Sequence, residues 1–318
     1  MMNKKAFEFS FAWLFAIIVG AVIIFLAVYA STKLIKTQRT IQDTELGKEL
    51  GIILNPIETS FETGKAQKIS FPFQTRIFND CKTISTFGLQ KLSTSTKSQV
   101  GEWQSSGEQS TFYNKYLFSE NVIEGKDYIV FSKPFEMPFK IADLIYIWPE
   151  TERYCLVNPP REIEDEINDL KLETINIASK QSECPAEAKK VCFISSGCDI
   201  DITLDTSASK IKGSAKKKAL DRVYFESPAL LYGAIFASPS LYECQVTRLM
   251  KRASELSWLY YSKTSFLSSK GCSSNLEADL LSYANQTFSI NSSSQLRSIA
   301  FNSENIGRKN NELNCQLF

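Results

Sequence analysis

The run FAWLFAIIVGAVIIFLAVYA, from Phe11 to Ala30, holds twenty residues with no charge, no proline and one glycine. A helix rises about 1.5 Å per residue, so this run covers roughly the 30 Å hydrocarbon core of a bilayer. A cleaved signal peptide has a shorter apolar core, about 7–15 residues, although Val28-Tyr29-Ala30 before Ser31 would suit a signal peptidase. A buried globular helix usually carries a polar stripe, and this run has none. The reading is a retained span over residues 7–32 that sits in the lipid bilayer, behind a short tail at 1–6. Trp13 and Tyr29 near its ends suit the membrane interface, where amphipathic rings settle.

Lys4 and Lys5 precede the span, and Lys33, Lys36 and Arg39 follow it, so positive charge does not set the orientation. The cysteines do. Cys81, Cys155, Cys184, Cys192, Cys198, Cys244, Cys272 and Cys315 all lie after the span. An even number of cysteines with none in the span suits an oxidising compartment and a set of disulfides. Asn285-Gln-Thr287 and Asn291-Ser-Ser293 are glycosylation acceptors, which also belong outside the cytoplasm. The expected protein passes the cell membrane once, with its amino terminus cytoplasmic and its bulk extracytoplasmic.

About 280 residues follow the span, enough for two modest domains with cores of their own. A net charge of +1 gives no global basic field for nucleic acid. Histidine is absent. That removes Ser-His-Asp and Cys-His nucleophiles and every histidine metal site. The chain offers no catalytic, cofactor-binding or metal-binding constellation, and a non-enzyme is expected.

The fold class expected is α+β. Residues 33–56 continue the span as a juxtamembrane helix or stalk, with Leu34, Ile41, Leu46, Leu50, Ile53 and Leu54 at loose helical spacing and Asn55-Pro56 as the stop. Residues 57–158 read as a β-rich domain, a sandwich or twisted sheet, from runs such as Lys68–Phe73, Thr75–Phe78, Asp127–Phe131 and Leu144–Trp148. Its aromatics, Phe71, Phe73, Phe78, Tyr113, Tyr116, Phe118, Phe135 and Phe139, are core by default and a ligand groove otherwise. Residues 159–318 read as a disulfide-bonded α+β domain ending in an antiparallel helical bundle.

In that second domain, Pro160 opens a helix with Ile163, Ile167, Leu170 and Ile175 on one face. Ser195-Ser196-Gly197 is a turn, and Asp199 and Asp201 then share one face of a strand by period two. A calcium site from Asp199, Asp201 and Asp205 would lack the glycine and terminal glutamate of an EF-hand, so a solvated strand is expected. Residues 205–222, with Lys210, Lys212, Lys216, Lys217, Lys218 and Arg222, read as a solvated basic loop; contact with anionic glycans or lipid headgroups is the sharper alternative. Ser227-Pro228 and Ser238-Pro239 open two helices, and Ser274-x-x-Glu277 a third as a capping box. Leu296, Ile299, Ile306, Leu313 and Leu317 mark a last one. The domain reading pairs Cys81 with Cys155 and Cys272 with Cys315. It leaves two options, Cys192–Cys198 with Cys184–Cys244, or Cys184–Cys192 with Cys198–Cys244.

The short basic leader Lys4-Lys5-Ala6 before a Phe-rich apolar helix resembles the amino terminus of archaeal type IV pilin-like proteins. That resemblance implies cleavage at Ala6, although Glu8 stands two residues after it rather than at the family's fifth mature position. Leu54-Asn55-Pro56, Phe131-Ser-Lys-Pro-Phe135, Val191-Cys-Phe193, Gly197-Cys-Asp-Ile200, Leu241-Tyr-Glu-Cys244 and Arg248-Leu-Met250 are similar to stretches of uncharacterised archaeal single-pass surface proteins. No function comes with that likeness. The expectation is a membrane-anchored surface protein for display, assembly or partner recognition, by self-assembly or through other surface proteins. A pilin-like filament subunit is the first alternative, and an extracytoplasmic enzyme without histidine chemistry the second.

Overall fold

The computed structural model describes residues 11–58, 66–98, 101–205, 210–218 and 220–318. Lys4, Lys5, Ala6 and Glu8 lie outside them. Helix α1 runs unbroken over Phe11–Glu58, 48 residues or roughly 72 Å of helix. Within it, Phe11–Leu34 is long and apolar enough to cross a membrane, and none of that stretch is buried against the protein. The expected stop at Asn55 comes late, because the last turn passes Pro56 and ends at Glu58.

The strands are β1 (Gln67–Lys82), β2 (Leu89–Thr96), β3 (Ser110–Phe112), β4 (Leu117–Phe118), β5 (Val122–Glu136), β6 (Lys140–Pro149), β7 (Tyr154–Val157), β8 (Ile175–Ala178), β9 (Lys189–Cys192), β10 (Ile200–Leu204), β11 (Gly213–Lys217) and β12 (Arg222–Phe225). The helices after α1 are α2 (Arg161–Leu170), α3 (Pro228–Phe236), α4 (Pro239–Ser268), α5 (Glu277–Ser289) and α6 (Leu296–Asn311). The strands form two six-stranded sheets, ordered β3-β2-β1-β5-β6-β4 and β12-β11-β10-β9-β7-β8. In the first sheet only the β4–β6 pair is parallel. In the second, β8, β7, β9 and β10 run parallel, and β11 and β12 extend it antiparallel.

Strand β6 shows how the layers stack. Successive side chains point to opposite faces, so Leu144, Tyr146 and Trp148 join one buried cluster and Ile145 and Ile147 another. The second cluster holds Leu50 and Leu54 of α1. The first holds α3 and residues of the second sheet, among them Tyr154, Leu156, Val191, Ile200 and Phe225. The first sheet is thus covered on both faces, by α1 on one side and by α3 and α4 on the other. Helix α3 is buried at every position from Ala229 to Phe236, and its Phe236 ring stacks on Trp148 with centroids 4.4 Å apart.

One hydrophobic cluster therefore runs through both sheets, and the expected boundary at residue 159 falls inside the second sheet, after β7. Other departures have local causes. The helix from Arg161 ends at Lys171 in a left-handed conformation, φ 50° and ψ 43°, which releases Ile175 into β8. A third of the expected basic loop is β11 and the first residue of β12, where Ser214 and Ala215 are buried ahead of the lysines. Ser274 accepts from the Leu276 amide, but α5 begins at Glu277, whose carboxylate accepts from Thr264, so no capping box forms. Ser227 and Ser238 do cap α3 and α4, accepting from Leu230 and Leu241 amides. Ser303 and Asn310, which break the stripe of α6, are buried, and Asn310 holds the Leu317 amide and the Phe318 carbonyl.

Candidate functional site

The junction between α1 and the first sheet is where the apolar segment meets the folded body. Asp43, Gly47, Leu50, Gly51 and Leu54 form the buried stripe of α1, at the 3.6-residue period. Leu34 and Ile41, expected on that stripe, are exposed and precede it. Polar contacts fix the register. The Thr94 hydroxyl donates to the Asp43 carbonyl at 2.6 Å, and the Glu108 amide donates to the Thr44 hydroxyl at 2.9 Å. Glycine permits the approach. A Cβ on Gly107 would stand 2.5 Å from the Thr44 nitrogen and 2.7 Å from the Asp43 carbonyl carbon, and one on Gly51 would run into the Phe112 ring. Gly107→Val should therefore cost about 1–3 kcal/mol as overpacking against backbone. Hydrogen exchange should show the amides of residues 43–54 losing protection while β5 and β6 keep theirs.

The Asp43 side chain is 1% exposed. Burial raises its pKa above 3.8, because both carboxylate oxygens are buried without a hydrogen-bond partner among the described residues. With a raised value, the folded protein keeps the proton after the unfolded chain has lost it. Stability then falls as pH rises through the window between 3.8 and the raised value. Asp43→Asn should melt higher than the wild type at neutral pH and lose that acid-side gain, in melting curves taken from pH 4 to 7.

The cysteines form four disulfides, Cys81–Cys244, Cys155–Cys184, Cys192–Cys198 and Cys272–Cys315. Cys81–Cys155 is not among them, nor is Cys184–Cys244 or the alternative Cys184–Cys192 with Cys198–Cys244. The physical reason is the placement of β7: Cys155 lies in the second sheet, whereas Cys81 near the end of β1 faces α4. Cys184, Cys192, Cys198 and Val157 pack together at the carboxyl ends of β7 and β9. Strands β9 and β10 are parallel, so Cys192–Cys198, which spans their connection, closes the link between parallel neighbours rather than a hairpin.

Beside Cys244, a buried polar seam ties α4 to the first sheet. The Arg248 guanidinium donates to the carbonyls of Lys115 (2.9 Å), Tyr113 (3.0 Å) and Phe87 (3.2 Å) and to the Gln245 side-chain oxygen (2.8 Å). Gln245 in turn reaches Gln90 and the Leu117 carbonyl. Burial pushes the Arg248 pKa down to about 10, which leaves it charged at neutral pH. In the sequence, the one signal for Arg248 is its place one turn after Cys244 on the helix.

Asp199, Asp201 and Asp205 are not gathered on one site. Asp199 accepts from the Lys190 amide and pairs with Lys218, Asp201 caps the Gly197 and Cys198 amides, and Asp205 pairs with Arg297. Among the described residues no group of three His, Cys, Asp or Glu side chains could hold a metal ion. Asn285 and Asn291 are exposed, while the hydroxyl residues of their acceptor triplets, Thr287 and Ser293, are buried. Phe71, Tyr116, Phe118, Phe135 and Phe139 are core, and Phe78 is half-buried. Phe73 and Tyr113 are exposed, Tyr113 beside an apolar hollow of about 460 Å³ with Phe87, Leu256 and Leu259. A second, polar hollow of about 310 Å³ lies against β10, β11 and β12. Comparison with protein-family models, with curated proteins and with solved structures found no match for this chain.

Proposed function

We propose that this chain is a membrane-anchored, non-enzymatic protein that holds an extracytoplasmic body at the cell surface for display, assembly or partner recognition. The observation that carries the reading is α1 itself. Its first 24 residues are bare and apolar, and its last turns are built into the core of a body closed by four disulfides. Anchor and body share one unbroken helix, so the body is held at a fixed attitude to the bilayer rather than on a loose tether. Membranes washed in alkaline carbonate should retain the full-length protein. Its quantitative release would sink the anchor.

A second reading, a pilin-like filament subunit, draws support from the same helix, half bare and half packed on a sheet. It requires loss of the leader. Intact-mass measurement of the mature protein decides it: a chain beginning after Ala6 favours the filament, and a chain that retains its leader removes it.

A further inference from the structure

The outer face of the second sheet carries a row of cross-strand neighbours, Thr203, Ser214 and Tyr224. The polar cavity of about 310 Å³ lies over this row. Tyr224 is 39% exposed, whereas Ser214 is 5% exposed and accepts from Arg222 at 3.1 Å. Gly213 keeps the floor free of a side chain, since a Cβ there would collide with the Thr203 carbonyl oxygen. Four charged residues form the walls, Asp205, Lys212, Glu226 and Arg297. Arg297 donates to Asp205 at 3.0 Å, and Lys212 and Arg297 both act on the Glu226 carboxylate.

The charges balance, two of each sign. An anion in the cavity would meet two carboxylates, and a cation would meet a lysine and an arginine. A neutral ligand rich in hydroxyls meets no such opposition, because carboxylates accept from its hydroxyls and the cationic groups donate to them. The Tyr224 ring supplies a flat apolar surface for the C–H face of a sugar ring. The volume is at the lower end of ligand pockets, which limits the occupant to about one ring, as at the end of a glycan.

We propose that this cavity binds a neutral sugar unit. The proposal deepens the recognition reading, and its test does not involve the anchor, so the two fail separately. Saturation-transfer NMR would be recorded on the full-length protein in a detergent without sugar groups, with glucose, galactose, mannose and glucuronate as probes. At least one neutral hexose should show saturation strongest at its ring C–H protons, and glucuronate should bind more weakly. Tyr224→Ala should weaken binding about tenfold. Arg297→Ala, at a side chain 77% exposed, should weaken it with unchanged melting temperature. No neutral hexose binding, equal binding by both variants, or tighter binding of glucuronate would overturn the proposal.

Discussion

Arg248→Met should destabilise the protein by about 4 kcal/mol or more. The side chain is fully buried and its backbone partners are neutral oxygens from two separate segments, Phe87 and Tyr113–Lys115. Methionine preserves much of the volume but donates nothing. Three backbone carbonyls and the Gln245 oxygen then lose a donor, and each orphaned buried group costs about 1–3 kcal/mol. Arg248→Lys should recover only part of the loss, because an ammonium is a point donor and cannot reproduce a planar fork. Urea midpoints at constant slope would measure both. A loss under about 1 kcal/mol for the methionine variant would mean that the seam adds nothing beyond apolar packing.

The second large effect concerns Cys81–Cys244. It closes a sequence separation of 163 residues, against 6 for Cys192–Cys198. In the chain-entropy account, cross-linking stabilises by restricting the unfolded chain, and the effect grows with the logarithm of loop length. Removing Cys81 and Cys244 as a serine pair should cost about 5 kcal/mol, and removing Cys192 and Cys198 about 2 kcal/mol. Both serine pairs are compared by denaturant unfolding under oxidising conditions. Equal losses would mean that local native contacts, not loop closure, decide what these disulfides contribute.

These two devices bear on how far the chain could be read. The long apolar helix was legible because twenty uncharged residues in a row leave few alternatives. The starts of α3 and α4 were legible because Ser-Pro fixes a cap locally. The lower part of α1 was only half legible. Leu50 and Leu54 showed as apolar, but the stripe depends equally on Gly47, Gly51 and a buried Asp43, which no hydrophobic pattern would select. Strands β7, β8 and β9 have four residues each, too short for any periodicity to declare itself. Missing β7 placed Cys155 in the wrong sheet and so misassigned the partner of Cys81. The polar cavity was illegible for a related reason. Its walls come from the end of β10, the approach to β11, the end of β12 and the first turn of α6, which only the folded sheet brings together.

The central claim is that α1 crosses a membrane and holds the disulfide-bonded body outside. Intact cells treated with a membrane-impermeant amine-reactive biotin test it most directly, read by peptide mass spectrometry. Lysines on the body should be labelled before lysis, among them Lys218, whose side chain is 72% exposed. Lys4 and Lys5 should be labelled only after lysis. Body lysines that stay unlabelled until the cells are opened would contradict the account.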